Sequence, residues 1–265
     1  KMGFDPRTIT LWKKAYSSGN GIVLVTGPTG SGKSTTLYAT LTRINTVEEH
    51  IITIEDPVER QLEGIIQGHV NERAGMTFAA ALRSMLRQDP DVIMVGEMRD
   101  RETADLAIRA ALTGHLVFST LHTNSAAASY TRLADMGCDP FLLTTTIRAI
   151  LAQRLIRKLC DRCKVKYRPT EKDLKSIGLK QLDGFIYHAN SKGCKSCGKD
   201  GYRGRAGLYE LLVPNEEINE AVKNEASAEE VSRIAKDNKM RMLVDAARTY
   251  VTQGLTSVEE INRVL

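Results

Sequence analysis

Short runs of apolar, largely β-branched residues alternate over the first 150 residues with segments whose apolar positions recur every three or four residues. The runs predict buried strands, and the periodic segments predict amphipathic helices. The strands are predicted at 22–26, 50–54, 91–96 and 116–119. Two helices are predicted at 34–45 and 101–112, and two more are predicted to begin after capping residues at Thr77 and Ser125. A longer helix is predicted in the segment marked by Ile147, Ile150, Leu151 and Leu155. This alternation predicts an α/β fold with a parallel central sheet.

The pattern changes after residue 158. Residues 170–177 predict a short helix, and residues 205–213 predict a strand that Pro214 ends. Ser227 and Ser257 each precede a glutamate by three residues, which is the spacing of a helix-capping box. We therefore expect residues 206–265 to form a strand followed by a helical subdomain.

The composition is that of an ordinary globular protein, with 42% hydrophobic and 26% charged residues. It excludes a chain that is disordered, collagen-like or coiled-coil throughout, and no apolar run approaches the ~20 residues that cross a bilayer. The net charge of +5 is unevenly distributed. Residues 148–205 contain 16 of the 37 Lys and Arg but 5 of the 32 Asp and Glu, a net charge of +11 that leaves −6 for the rest.

The chain begins at Lys1 with neither an initiator Met nor a targeting peptide. We expect it to be a fragment in which residues 1–20 are a linker from a missing N-terminal domain.

The segment from Gly27 to Ser34 has the form G-x-x-x-x-G-K-S between a predicted strand and a predicted helix. Its glycines let backbone N–H groups surround phosphate oxygens, and the helix adds the positive end of its dipole. We expect Lys33 to reach the β- and γ-phosphates of ATP and the Ser34 hydroxyl to bind Mg²⁺. The predicted ATP-binding residues are Gly27, Pro28, Thr29, Gly30, Ser31, Gly32, Lys33, Ser34 and Thr35.

Acidic and polar side chains follow the other predicted strands, where the chemistry of a parallel sheet collects. A carboxylate there can hold Mg²⁺ or orient the attacking water. Any single acid is as readily a solvated surface charge, and a lone histidine, such as His115 or His122 at the two ends of one strand, is more often structural. The candidates are Glu55, Asp56, Glu59, Glu97, Thr120, His122, Thr123 and Asn124.

Four of the five cysteines form two C-x-x-C pairs with 30 residues between them, Cys160 with Cys163 and Cys194 with Cys197. Two such turns supply the four thiolates of a tetrahedral Zn²⁺ site. The alternative, disulfide bonds, requires an oxidising compartment that lacks the ATP supply of an ATP-driven enzyme. We predict a structural zinc module over residues 159–205, with Cys138 as a buried apolar residue outside it.

Residues 86–100, with the sequence LRQDPDVIMVGEMRD, resemble the signature of the secretion ATPases that power type II secretion and type IV pilus assembly. The glycine-rich loop, residues 52–59 and residues 113–124 resemble the Walker A loop, Asp box and His box of that family, in the family's order. The resemblance implies a RecA-like core over residues 21–158 that assembles into a homo-hexamer with ATP near the subunit interfaces.

The resemblance also implies roles for three catalytic candidates. Glu97 matches the Walker B glutamate, Glu55 matches the first acid of the Asp box, and His122 matches a His-box residue near the γ-phosphate. The sequence does not divide the role of general base between the two glutamates. Family members contribute arginines to the neighbouring subunit from a domain before the core, and we expect such arginine fingers to be absent from this chain.

The family works in the cytoplasm at the inner face of the cytoplasmic membrane, which implies peripheral association through an inner-membrane platform protein. Its tetracysteine module is typical of assembly and secretion motors, so the basic segment is expected to face a platform protein, an anionic membrane surface or an acidic neighbour, unless it is only a solvated surface. Sparse aromatic residues there argue against a nucleic-acid partner. The alternatives are a RecA-type nucleic-acid translocase and a nucleotide-switched scaffold, and the residues do not separate pilus assembly from type II secretion or DNA uptake.

Overall fold

The structure is a computed structural model that describes residues 3–265. Its strands are β1 Gly21–Thr26, β2 Ile51–Glu55, β3 Ile66–His69, β4 Val92–Val95, β5 Leu116–Leu121, β6 Ile147–Leu159, β7 Val165–Tyr167, β8 Ile186–His188 and β9 Tyr202–Leu212. Its α-helices are α1 Pro6–Tyr16, α2 Lys33–Ile44, α3 Phe78–Met85, α4 Arg101–Leu112, α5 Ala128–Asp135, α6 Pro140–Thr146, α7 Glu171–Ser176, α8 Glu216–Lys223, α9 Ala228–Asp237, α10 Leu243–Thr252 and α11 Val258–Val264.

Seven of the strands in the described part of the chain form one sheet in the order β3-β2-β4-β5-β1-β6-β9. Every neighbouring pair from β3 to β6 is parallel, as in the register of Val23 opposite Phe118 and Ile52 opposite Ile93. The carboxyl ends of these strands therefore meet at one edge of the sheet. The prediction of an α/β fold with a parallel central sheet is confirmed.

The four central strands that the apolar runs predict, β1, β2, β4 and β5, are buried at every position. Helices cover both faces of a parallel sheet, so such strands are apolar throughout rather than alternating. Local signals also place the helices that follow: Thr77 caps α3 by accepting a hydrogen bond from the N–H of Ala80, and Asp100 caps α4 in the same way through Thr103.

The prediction of a long helix marked by Ile147, Ile150, Leu151 and Leu155 is wrong, because this segment is the strand β6. Residues 147 and 149–154 are all buried, and β6 pairs in parallel with β1 from Ile147 to Ala152. A run that is buried on both faces satisfies the helical and the strand periodicity equally. The segment is a strand because it pairs with β1 in the sheet.

The chain divides into two compact units, which we describe separately. The larger unit comprises Asp5–Ala152 and Leu211–Met240, and the smaller unit comprises residues 3–4, Gln153–Glu210 and Arg241–Leu265. No helix in the described residues is both long and apolar enough to cross a membrane.

Part of the predicted linker at residues 1–20 is the helix α1, which belongs to the larger unit; Lys1 and Met2 lie outside the described residues. Asp5 caps α1 by accepting hydrogen bonds from the N–H groups of Arg7 and Thr8. Trp12 is 1% exposed, and its Nε1 donates a 3.1 Å hydrogen bond to Thr40 Oγ1 on α2. An apolar anchor therefore packs this helix against the helix that follows the glycine-rich loop.

The smaller unit has its own apolar core and a buried ion-pair cluster. The core includes Ile156 and Leu208 of the sheet and Ala247 and Ile261 of the C-terminal helices. Glu260 on α11 is 1% exposed and accepts hydrogen bonds from Arg157 Nη2 at 2.8 Å and Arg263 Nη2 at 2.6 Å. Burial acts to raise the pKa of Glu260, but the bonds from Arg263 and Arg157 outweigh it and lower the pKa to about 2.

This pKa predicts a pH-dependent contribution to stability. The ordinary pKa of this group is 4.5, and folding lowers it to about 2, so the contribution is fully present above about pH 4.5 and is lost as the pH falls towards 2. We expect Glu260→Gln to lower the free energy of unfolding at pH 7 by on the order of 2 kcal/mol. Urea unfolding at pH 7 and at pH 3 measures the loss, which should be smaller at pH 3. Glu259→Gln, at the exposed neighbouring position, is the matched control, and an equal loss for Glu260→Gln at both pH values would contradict the prediction.

Candidate functional site

The glycine-rich loop lies between the carboxyl end of β1 at Thr26 and the first residue of α2, Lys33. Gly30 and Gly32 have φ angles of +76° and +87°, in the left-handed region where other residues are strained. Gly32 is the N-cap of α2 and offers no side chain to cap the helix. A helix whose first turn has no capping side chain can offer backbone N–H groups to an anion.

Two side chains of this motif are held by hydrogen bonds to oxygen. Lys33 is buried, and its Nζ donates to the carbonyl oxygens of Gly27 at 2.8 Å and Pro28 at 3.2 Å. Ser34 Oγ donates to Glu59 Oε1 at 3.2 Å. Because the Ser34 hydroxyl donates this hydrogen bond to Glu59, the lone pairs of its oxygen remain available to a cation.

Glu55 is the last residue of β2 and is 5% exposed. Its Oε1 accepts hydrogen bonds from Thr53 Oγ1 at 2.6 Å and Gln67 Nε2 at 3.0 Å, and its Oε2 accepts one from the Tyr38 hydroxyl. All three donors are neutral groups. They fix both oxygens of a buried carboxylate.

Glu97 lies two residues after β4, is half-buried and has charged surroundings. Its Oε2 accepts a 2.8 Å hydrogen bond from Arg99 Nε, and its Oε1 lies 3.4 Å from His122 Nε2. Arg99 also reaches Asp56, with 3.4 Å between Nη1 and Oδ2. The hydrogen bond to Glu97 raises the pKa of Arg99, with smaller contributions from the charges of Glu97 and Asp56. The structure thus joins residues that follow β2, β4 and β5.

Threonines connect the strand ends to one another. The Thr26 hydroxyl accepts a 3.0 Å hydrogen bond from the N–H of Thr123 and donates to the carbonyl of Leu121. Thr120 Oγ1 donates to the carbonyl of Gly96 at 2.7 Å. These bonds hold β1, β4 and β5 in register where the candidate residues lie.

His115 is placed differently from His122. It precedes β5, and its Nδ1 lies 2.9 Å from the carbonyl oxygen of Ala110 and 3.2 Å from Thr113 Oγ1 at the end of α4. His122 directly follows β5 at the opposite end of that strand and contacts Glu97. The structure therefore separates the two histidines that flank this strand.

The sequence pattern does not single out four residues of the site, namely Tyr38, Thr53, Gln67 and Arg99. Two of them have a local signal: Tyr38 is four residues after Ser34 on one face of α2, and Thr53 is two residues before Glu55 on one face of β2. Gln67 on β3 has no such signal, because its contact with Glu55 depends on the pairing of β2 with β3.

The four cysteines of the two C-x-x-C pairs lie together in the smaller unit. Their Sγ atoms are all within 4.8 Å of one another, and the pairs Cys160–Cys194, Cys163–Cys197 and Cys194–Cys197 are each 3.8 Å apart. Metal–sulfur bonds of ~2.3 Å in a tetrahedron give sulfur–sulfur edges of about 3.8 Å. The cluster is therefore a candidate metal site with the dimensions of a four-thiolate centre.

The same distances exclude disulfide bonds, which need sulfurs ~2.05 Å apart. Backbone N–H groups of Cys194 and Gly201 donate to Cys197 Sγ at 3.2 Å each. The bond from Cys194, with that from Gly201, lowers the pKa of Cys197 to about 6. Cys138 lies apart from the cluster and is buried, and its pKa is raised to about 11 chiefly by burial.

A glycine-rich loop that joins a central strand to a helix at the carboxyl edge of a parallel sheet defines the P-loop class of proteins. The chain belongs to the type II/IV secretion system protein family, whose model matches residues 1–263.

Curated relatives agree with this family. The chain is 49% identical to a type II secretion system protein E of Pseudomonas aeruginosa over 263 residues, which are 99% of this chain and 52% of that protein. It is 46% identical to the type IV pilus assembly ATPase PilB of Thermus thermophilus over 263 residues, 98% of this chain and 29% of that protein. The chain thus spans about half or less of the length of these relatives.

Two solved structures share the fold. The crystal structure of the pilus retraction motor PilT with bound ADP matches with a TM-score of 0.72 and 32% identity, over 98% of this chain and 64% of that one. The Legionella pneumophila ATPase DotB matches with a TM-score of 0.69 and 26% identity, over 99% of this chain and 63% of that one. The RecA-like P-loop fold expected from the sequence is supported by these neighbours.

Because β2 and β4 approach closely, we expect a side chain at position 96, in place of Gly96, to destabilise the fold. A Cβ there would lie 3.2 Å from the carbonyl oxygen of Ile54 and 3.3 Å from Glu55 Cα, which is tighter than ordinary packing. We expect Gly96→Ala to lower the free energy of unfolding by about 1–2 kcal/mol. Gly68→Ala, on the other side of β2, is the matched control because its Cβ would approach no atom closer than 3.4 Å, and its effect should stay within about 0.5 kcal/mol. Urea unfolding of both variants tests this, and an equal or larger loss for Gly68→Ala would contradict it.

Proposed function

We propose that this chain is the ATP-hydrolysing part of a motor for type II secretion or type IV pilus assembly. The observation that supports it best is the glycine-rich loop with Lys33 at the sheet edge that also carries Glu55, Glu97 and His122. The relatives named above as a type II secretion protein and a pilus assembly ATPase support the choice of machine. The chain spans only part of those proteins, so the activity of a whole motor is proposed for it here on the basis of these similarities.

In this proposal the loop binds the phosphates of ATP. The backbone N–H groups of residues 27–34 surround the phosphate oxygens, and Lys33 exchanges its two carbonyl partners for the β- and γ-phosphates. Ser34, with nearby carboxylate oxygens such as those of Glu59, is a donor set that suits Mg²⁺. When bound, Mg²⁺ supplies positive charge that offsets the charge of the phosphates.

Glu97, Glu55 and His122 are the proposed catalytic residues. Glu97 is the better candidate for the general base because it is half-buried and contacts the side chains of His122 and Arg99. These two side chains can adjust when the charge of Glu97 changes on taking up a proton. Glu55 is the better candidate for a fixed negative group that orients the water ligands of the cation, because neutral donors hold both of its oxygens. His122 is exposed and can approach the γ-phosphate.

The further proposals are a homo-hexameric ring, location at the cytoplasmic face of the inner membrane, and action on an inner-membrane platform protein. They are supported by the secretion and pilus machines to which the named relatives belong. The mass of the assembly in the presence of ATP checks the ring, and a chain that stays monomeric would contradict it. The basic segment at residues 148–205 is the proposed surface for an acidic neighbour in that machine.

The ATPase proposal predicts different defects for two variants. Lys33→Ala should weaken ATP binding by at least about 10²-fold because it removes the cation of the phosphate site, whereas Glu97→Gln should bind ATP normally and hydrolyse it at least about 10²-fold more slowly. Equilibrium binding of a fluorescent ATP analogue and phosphate release measure the two effects. Both effects should be measured on the 265-residue chain.

Lys14→Ala and Glu48→Gln change the same charges at exposed positions of the larger unit and serve as controls. Full turnover by Glu97→Gln would exclude Glu97 as the general base. ATP binding by Lys33→Ala equal to that of the unchanged chain would exclude the loop as the phosphate site.

We also propose that the four cysteines bind one structural Zn²⁺ ion. The four Sγ atoms fit its geometry, and the site joins two segments 34 residues apart, so the metal would stabilise the fold of the smaller unit. Residues 159–205 are accordingly the proposed zinc module.

Elemental analysis is expected to find about one zinc ion per chain. Cys194→Ser should lose the metal and unfold at a lower temperature, whereas Lys195→Ala, an exposed change within the same turn, should keep both. Removal of the metal with a chelator should lower the unfolding temperature of the unchanged chain and not that of Cys194→Ser. A metal-free chain of equal stability would refute the zinc proposal.

A further inference from the structure

Tyr38 connects the helix of the phosphate loop to a carboxylate of the candidate site. It lies on α2, four residues after Ser34, so both side chains occupy the same face of that helix. The Tyr38 hydroxyl is hydrogen-bonded to Glu55 Oε2, and the ring is 5% exposed. A single rigid element therefore carries the phosphate loop at its start and the partner of Glu55 one turn later.

The direction of the Tyr38 hydrogen bond is determined by a second contact. The backbone N–H of Glu59 donates to the Tyr38 oxygen at 3.1 Å, so the hydroxyl proton is left for Glu55. Burial, together with the bond to Glu55, raises the pKa of Tyr38 to about 12. Tyr38 consequently remains a protonated donor throughout the neutral range.

The surroundings of Glu55 leave little freedom for its carboxylate. Thr53 holds the other oxygen from within β2, and Gln67 holds it from β3. Of these three donors, only Tyr38 belongs to the helix that begins with the phosphate loop. Tyr38 therefore links the Glu55 carboxylate to the helix that follows the loop, whereas Thr53 and Gln67 link it to positions within the sheet.

Tyr38 and Ser34 together join α2 to the segment that follows β2. Ser34 Oγ contacts the Glu59 carboxylate, and the Tyr38 hydroxyl contacts both Glu55 and the Glu59 backbone. Removing the Tyr38 hydroxyl would break its links to Glu55 and to the Glu59 N–H and leave Lys33 and Ser34 with their own contacts.

We propose that Tyr38 is a positioning residue for ATP hydrolysis, which holds the Glu55 carboxylate at a constant place relative to the phosphate loop. The inference rests on the proposed ATPase function. It assigns Tyr38 an effect on the chemical step rather than on nucleotide affinity, because its hydroxyl acts through Glu55. Misplacing a group in the site by about 1 Å is enough to slow a reaction by ~10²-fold.

The test is a double-mutant cycle of Tyr38→Phe and Glu55→Gln in the 265-residue chain. Tyr38→Phe removes one oxygen and keeps the buried ring, so we expect kcat to fall about tenfold while the KM and the Kd for a fluorescent ATP analogue stay within about twofold. Glu55→Gln should lower kcat further. The double variant should be no slower than Glu55→Gln alone, because the proposal has the hydroxyl affect the chemical step only through the Glu55 carboxylate.

Tyr130→Phe is the matched control. Tyr130 belongs to the larger unit and is 3% exposed, but its hydroxyl has no hydrogen-bond partner among the described residues, so this variant should keep the unchanged kcat. Thr53→Val removes a different donor to Glu55 and should also lower kcat, so it tests whether hydrolysis depends on the hydrogen bonds that hold this carboxylate even if Tyr38→Phe folds poorly. A crystal structure of Tyr38→Phe should show the Glu55 carboxylate displaced.

The outcomes separate this inference from the proposed function. If the unchanged chain hydrolyses ATP and Tyr38→Phe has the same kcat, the positioning role is overturned and the ATPase function stands. The same holds if the fold-decrease in kcat of the double variant is the product of the decreases of Tyr38→Phe and Glu55→Gln. A raised KM with an unchanged kcat would overturn it as well. Phosphate release by the unchanged chain no faster than by Lys33→Ala would overturn the ATPase function and this inference with it.

Discussion

The parallel pairing of β2, β4, β5 and β1 is the constraint on which the candidate site depends. Each of these strands is buried along its whole length, so polar side chains concentrate where a strand stops. Because all four run in the same direction, those ends coincide at one edge. The glycine-rich loop, the two glutamates and His122 are neighbours for this reason, although up to 95 residues separate the first from the last along the chain. The threonine hydroxyls then hold the strand ends in register.

The two glutamates of the site show how surroundings distinguish like groups. Glu55 has neutral donors on both oxygens and is almost fully buried, so its position is fixed without a neighbouring positive charge among those contacts. Glu97 contacts the Arg99 guanidinium and His122, and Arg99 is shared with Asp56. Charge-assisted contacts of this kind respond to any change in charge nearby. The structure therefore supports different roles for two residues that the sequence could only name together.

In the smaller unit, contacts between distant segments accompany the apolar core. Glu260 is hydrogen-bonded to Arg157, 103 residues away, and the two C-x-x-C turns bring Cys160 and Cys194 within 3.8 Å. Both contacts lie in the unit that carries most of the basic segment. Cross-links between remote parts of a chain contribute most where a core is small.

The sequence alone determined the features that depend on local spacing: the loop from Gly27 to Ser34, the cysteine pairs, and the strands that are short apolar runs. Each is readable because turn geometry and helix or strand period are local properties. Tertiary structure decided the rest. The segment Ile147–Leu159 is a strand because it lies beside β1, and Gln67 reaches Glu55 because β3 pairs with β2. Such contacts depend on which elements become neighbours. A segment that is buried on every side is apolar throughout, and such a sequence does not specify its neighbours.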